Sequence, residues 1–401
     1  MKAAIFTAAV LAAAGPARAE DLVLTPLAEA RLRYEHVDQS GVALNADALT
    51  MRVRGGLSAG SGPFAALVEA QGTLAVVDRY FDGLDGNTTR PLIADPENIG
   101  LYRAQLQYRT KAIGVTVGRQ RIALDDERFV GAIAFRQNGQ TFDAARVEWS
   151  GLRGLKIDAS YAWSVRTIWG VDGRGARQQA VSGDNILANI AYVTPLGTMT
   201  GFAYLVDQDE AAVQGFRLSS QTFGGRIAGA HAFSKTVKLS YQASYARQSD
   251  YRRNPNRYRA SYYLGEAGLD VDSLRAGAGY EVLGADKGAA LTSFQTPLAS
   301  GFKFQGWADK FLTTPPDGVR DLYGSVGYGV PRIGPASAVT MQATYHRFAS
   351  DRLSRRYGNE IDLLASARFG PYALSLRYAD YTAKRFATDI RKAWLQLDFA
   401  L

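Results

Sequence analysis

Residues 102–109 read Tyr102-Arg103-Ala104-Gln105-Leu106-Gln107-Tyr108-Arg109, switching between an apolar or small side chain and a polar one at every step. A period of two places alternate side chains on opposite faces of a β-strand. An arginine facing lipid at the middle of a bilayer costs about 2–4 kcal/mol. If this strand lies in a membrane, Tyr102, Ala104, Leu106 and Tyr108 face lipid, while Arg103, Gln105, Gln107 and Arg109 face water on the inside.

Working outward, the same alternation recurs between turn signals in segments near 26–36, 47–58, 63–77, 98–109, 112–122, 140–150, 154–166, 185–194 and 198–207. It continues near 219–233, 236–248, 260–271, 273–283, 320–330, 337–347, 359–369, 372–381 and 390–401. The links alternate between short ones such as SAGSG, TPLG, PRIGPAS and a break near Asp272, and long ones such as RQSDYRRNPNRY. Short turns at one end and long loops at the other predict an all-β, transmembrane, antiparallel up-and-down β-barrel. Both termini at one end require an even strand number, and the segments total about 18, with 16 as the alternative. The even count holds if residues 284–319, including FKFQGWADKF, form one long excursion and not a wall strand.

The compartment follows from the amino terminus. Lys2, an apolar run from Ala3 to Ala14 and Ala17-Arg18-Ala19 predict a signal peptide over 1–19, cleaved near Ala19, with the barrel over 20–401. No later stretch approaches the roughly 18 uncharged apolar residues of a membrane-crossing helix. The absence of Cys excludes a disulfide scaffold. Together these place the chain in the outer membrane of a Gram-negative cell, with outer-membrane lipid and the outer-membrane assembly machinery as partners. A soluble secreted β-protein is the competing class.

Strand parity assigns an inward set in which arginines outnumber carboxylates: Arg31, Arg33, Arg52, Arg54, Arg103, Arg109, Arg146, Arg275, Arg368 and Arg377, beside Glu29, Glu35, Glu69 and Glu148. A guanidinium stays charged and its planar fork matches carboxylate and phosphate geometry. These ten side chains are the candidate pore lining, expected to favour anionic solutes unless each is neutralised by a carboxylate on a neighbouring strand. The formal charge of +8, or +6 once Lys2 and Arg18 leave with the leader, agrees in sign. An 18-stranded barrel leaves an aqueous channel unless loops enter it. The loops near 78–97 and 284–319 are the candidates to do so. DGLDGN in the first has side-chain oxygens that could meet Ca²⁺ but lacks a full binding-loop pattern.

Catalytic readings find little in the residues. His36, His231 and His346 fall on different strands, and the first two have outward parity, so they assemble neither a triad nor a metal cluster. No cofactor is expected, and the arginines are interleaved with wall residues and not clustered as for nucleic acid.

Two segments carry a family likeness: VGRQRIALDDERFVGAIAFRQNGQTFDAARVEW at 117–149 and FKFQGWADKFLTTPPDGVRDLYGSVGY at 302–328. Through Arg119, Gln120, Arg128 and Asp143 in the first, and Trp307, Asp309, Lys310 and Asp321 in the second, the chain resembles the alginate-export family of outer-membrane barrels. That resemblance implies an 18-stranded channel that passes an anionic polysaccharide or a smaller anionic solute. A general diffusion or nutrient-uptake porin, and more remotely a barrel-borne hydrolase or surface-binding protein, remain alternatives. Arg119 and Arg121 share parity with lipid-facing Val115 and Val117, and the residues suggest a bulge at Gly118 that would turn them inward.

Overall fold

The computed structural model describes residues 22–210 and 215–401. The expected leader, residues 1–19, lies outside the described residues. Eighteen strands follow one another: β1 (Val23–Gln39), β2 (Ala46–Ser61), β3 (Phe64–Arg79), β4 (Asn98–Arg109), β5 (Ile113–Gln120), β6 (Thr141–Trp149), β7 (Leu155–Arg166), β8 (Ala180–Thr194) and β9 (Gly197–Val206). Then come β10 (Ser220–Ala232), β11 (Val237–Asp250), β12 (Arg259–Val271), β13 (Leu274–Leu283), β14 (Val319–Ile333), β15 (Ala336–Ala349), β16 (Arg356–Phe369), β17 (Tyr372–Ala383) and β18 (Ile390–Ala400). Each pairs antiparallel with its neighbours, and β1 also pairs with β18 from Glu29↔Ala400 to Gln39↔Ile390. Closure leaves no open edge, so the backbone polar groups are satisfied within the wall, as lipid requires. The even count of 18 stands, and 284–318 is not part of the wall.

The links sort by end as their lengths predict. Turns of two to five residues join β2 to β3, β4 to β5 and so on, whereas the other links run from six residues to the 35 of 284–318. The break near Asp272 is a two-residue turn with Asp272 in the left-handed region, φ 52°.

The faces follow the alternation. In β11, Tyr245 and Arg247 point outward and exposed while Ala246 and Gln248 are buried. Leu106 is 68% exposed and Val326 63%. A belt of such residues around the whole wall far exceeds the apolar patch a soluble monomer tolerates, so lipid is its solvent.

One expectation fails in the strand that opened the reading. Tyr102 is buried and faces inward, because the β3–β4 pairing shifts between Glu69↔Arg103 and Ala70↔Leu101. Tyr102 is the extra residue of a bulge, so it and Arg103 both turn inward. At Gly118 the reverse holds. The pairing on both sides of β5 runs without a shift, so there is no bulge and Arg119 stays on the outer face. Gly118 is needed there for another reason: its φ is +113°, and a Cβ would lie 2.3 Å from the Ala104 carbonyl oxygen.

Candidate functional site

Two of the long loops fold into the lumen and pack on each other. Val130 in loop 121–140 bridges to Leu298 in loop 284–318, and the Gly131 N–H donates to the Leu298 carbonyl at 2.8 Å. The Ser300 hydroxyl donates to Glu127 Oε2 at 2.6 Å, and Lys303 Nζ donates to the Asp126 carbonyl at 2.8 Å. Loop 284–318 was an expected constriction. Loop 121–140 was not, since its length and polarity say nothing of direction. Loop 80–97 contributes chiefly through Asp95, which is buried and accepts the Gln137 N–H at 2.7 Å. In its DGLDGN stretch, Asp82 caps its own turn by accepting the N–H groups of Leu84 and Asp85. Among the described residues no group of three or more His, Asp or Glu side chains is arranged to hold a metal.

Several residues of the family likeness, Arg128, Trp307 and Asp309, staple these loops. Arg128 is buried, with its Nε 2.6 Å from Glu281 and Nη2 donating to Gln305 Oε1 at 3.1 Å. Burial works against its charge, but Glu281 and the Tyr262 oxygen outweigh that and hold its pKa above the ordinary arginine value. The Trp307 N–H donates to Asp362 at 3.2 Å and the Ala308 N–H to Glu360 at 2.7 Å. Asp309 accepts from Arg136 at 2.5 Å and from Lys392 at 3.1 Å. Lys310 lies over the Tyr381 ring. Asp321 accepts from His346 at 2.8 Å. Gln120 is buried and donates to the Ala144 carbonyl at 2.9 Å. Arg119 and Asp143 form an outward-facing pair at 2.8 Å, joined by Arg166 at 3.2 Å.

The ten arginines of the inward set separate by depth. Arg109, Arg275 and Arg368 are exposed near the short-turn mouth; Arg109 pairs with Glu148 at 3.2 Å and Arg275 with Asp270 at 3.6 Å. Arg103 pairs with Glu69 at 2.6 Å, and Arg146 with Asp158 at 2.5 Å. Arg33, Arg52 and Arg54 are sealed beneath loop 121–140. Arg33 pairs with Asp95 and donates to the Phe135 carbonyl, while Glu29 meets both Arg52 at 3.0 Å and Arg54 at 2.6 Å. Arg54 also stacks on Tyr102, 3.7 Å from the ring centroid, which accounts for the inward tyrosine. Arg31 keeps a small accessible edge, pairs with Asp398 at 2.7 Å and donates to the carbonyls of Ala134 and Phe135. Neither Arg368 nor Arg377 has a carboxylate partner among the described residues; Arg377, unlike Arg368, is partly buried, bonds the Ser375 hydroxyl and lies over the rings of Phe135 and Trp307.

Two cavities of about 720 Å³ each result. The outer one is walled by loop residues including Trp169, Gln208 and Leu312. The inner one is walled by strands, with Arg31, Arg377 and Gln396 on one side and Glu266, Tyr323 and His346 on the other. Phe302 and Gln305 line both, so the constriction lies between them. Phe302 stacks on Phe135, with ring centroids 3.4 Å apart, and on Trp307 at 5.9 Å. His346 has a carboxylate partner and not a serine, while His36 and His231 face outward as expected.

A closed barrel of 18 antiparallel strands with loops turned into its lumen defines a porin-like protein of the outer membrane. The family model described as alginate export matches residues 28–169, from β1 to just past β7, so the resemblance read in the sequence stands over that part. It includes the 117–149 segment and stops short of 302–328. Among solved structures, Pseudomonas aeruginosa OccK9 (OpdG) aligns with a TM-score of 0.71 at 15% identity, over 94% of this chain and 98% of that one. Acinetobacter baumannii OccAB4 gives 0.70 at 13%, over 95% and 98%, and P. aeruginosa OpdO 0.68 at 15%, over 94% and 97%. At such identities the likeness is one of fold. A comparison with curated protein sequences finds no match.

Proposed function

We propose that the protein is a passive outer-membrane channel for anionic solutes, with acidic saccharides such as uronate oligomers as the solute class. The observation that carries this reading is Arg377, an uncompensated guanidinium beside Arg31 in the wall of the inner cavity. A solute carboxylate would meet the Arg377 fork while an apolar ring face rests on Trp307. Charge lining a narrow passage sets ion preference. In this reading the chain is no enzyme; it carries a leader cleaved near Ala19, enters the membrane of a Gram-negative cell through the assembly machinery and is bounded by lipid.

A second reading, a nutrient-uptake or general diffusion porin, draws support from the two inward loops. Cavities of about 720 Å³ suit small solutes better than a polymer. One recording separates the readings. Purified protein in a planar bilayer is expected to give discrete conductance steps with anion preference, and polyuronate is expected to block them. Cation preference or no conductance refutes the channel for anions, whereas anion preference without block by polyuronate supports small-solute uptake.

A further inference from the structure

The outward-facing cations at the long-loop ends of the strands fall into two groups. On one side of the barrel they have carboxylates: Arg79 and His36 lie 3.7 and 2.9 Å from Asp47, and Arg119 and Arg166 share Asp143. Along β11, β12, β15 and β16 stand Arg247, Arg259, Arg347 and Arg356, whose guanidinium groups meet no carboxylate among the described residues. Arg247 donates to the Ser261 hydroxyl and Arg356 to Asn359 Oδ1, each at 3.1 Å. Asp286 accepts the backbone N–H of Arg259 at 3.1 Å, and Asp351 is held by Arg320 of β14 at 3.0 Å.

All four arginines lie within four residues of the long-loop end of their strand. Their neighbours Ala246, Gln248, Ala260, His346, Phe348 and Tyr357 are buried, which fixes the arginines outward. Just toward the membrane centre stand Tyr245, Tyr263, Tyr280 and Tyr345, each 44–49% exposed, with the rings of Tyr245 and Tyr263 5.3 Å apart. Such tyrosines mark the headgroup level of a bilayer. The arginines above them therefore lie among the headgroups of the outer leaflet.

We infer that this arc binds the phosphate groups of a phosphorylated outer-leaflet lipid. Guanidinium forks match phosphate oxygens bidentately, and their apolar stems lie along the tyrosine girdle while the heads reach the interface. A second copy of the chain is a poor occupant, because a two-fold interface would set this unpaired positive arc against itself.

The test titrates the purified full chain in detergent with a bis-phosphorylated, acylated diglucosamine and with its dephosphorylated counterpart, counting bound lipid by native mass spectrometry. Each basic side chain near an anionic surface contributes about fivefold in affinity. Wild type should therefore prefer the phosphorylated lipid by at least about tenfold. R247Q/R259Q/R347Q/R356Q should lose that preference, whereas R79Q/R166Q, which removes carboxylate-paired arginines, should keep it. If the quadruple variant does not fold, R247Q/R347Q should weaken the preference alone. Equal binding of the two lipids by wild type, unchanged preference in the folded Gln variant, or displacement of the lipid by inorganic phosphate at matched concentration overturns the inference.

Discussion

Replacing Arg136 with Met probes how the lumen is narrowed. Arg136 is nearly buried, 2.5 Å from Asp309, 3.8 Å from Glu35 and 4.0 Å from Asp95. Its three acids are unequal once it is gone. Asp309 keeps Lys392 at 3.1 Å, and Asp95 keeps Arg33 and the Gln137 N–H. Glu35 keeps nothing, since neither of its buried oxygens has a hydrogen-bond partner. Removing one partner of a buried ion pair costs about 3–5 kcal/mol, chiefly for the orphaned charge. With one orphan of three, the expected loss is near the lower end, about 3 kcal/mol. The wall is an unbroken ladder that does not depend on this residue, so the loss should fall on loop 121–140. Single-channel conductance should rise and become noisier, and the loop should become open to protease while the barrel stays folded. R136M/E35Q should recover most of the wild-type behaviour, because a neutral amide replaces the orphaned carboxylate. R136M that conducts as wild type with its loop protected, or E35Q that fails to rescue, refutes the reasoning.

Arg377→Gln should lower anion preference without lowering thermal stability, because no carboxylate loses a partner; reversal potentials under a salt gradient and heat-dependent gel migration check both halves. Lys310, in the inward loop, has its pKa pushed down to about 8 by burial and then by Lys392, against the pull of Glu360 and Asp309. Raising pH through about 8 therefore discharges it in the folded protein, while the unfolded lysine stays charged up to its ordinary value near 10.5. Anion preference should fall between about pH 7 and 9, whereas this site's penalty on stability should be relieved progressively from about pH 8 up to about 10.5, and K310M should flatten both trends. Gly118→Val should reduce the yield of folded barrel, since its Cβ would lie 2.3 Å from the Ala104 carbonyl oxygen at a φ of +113°; residues held in such conformations cost about 1–3 kcal/mol each. Normal yield and melting of G118V would show that β5 can move away.

The wall was legible because a barrel strand must alternate at every residue, and one slipped residue exchanges the two faces. β4 has the bounds read from the sequence, 98–109, and the other strands differ only at their ends. The side of Tyr102 was misread where that rule is locally suspended. A signal for the bulge was present: the apolar pair Ile99 and Leu101 has odd parity, whereas Leu106 and Tyr108 have even parity, so the phase must break between them. At Arg119 the partner decided. An outward arginine near the strand end is tolerable with Asp143 opposite it, and Asp143 has the matching parity on β6.

The inward turn of loop 121–140 was illegible, and it governs what the arginines can do. Eight of the ten inward arginines meet a carboxylate, and the partner of Arg33 comes from loop 80–97, not from a neighbouring strand. Arg31 and Arg33 also donate to the carbonyls of Ala134 and Phe135, so the wall arginines hold the loop that covers them. A buried guanidinium so engaged cannot meet a solute without breaking those bonds. The basic excess read from strand parity thus includes a structural part beneath loop 121–140, an exposed part at the short-turn mouth with Arg109, Arg275 and Arg368, and a small part around Arg31 and Arg377 that borders the inner cavity. On that division, charge removed from Arg33 or Arg54 should change the loop first and ion preference only through it, whereas charge removed from Arg377 should act on ion preference directly.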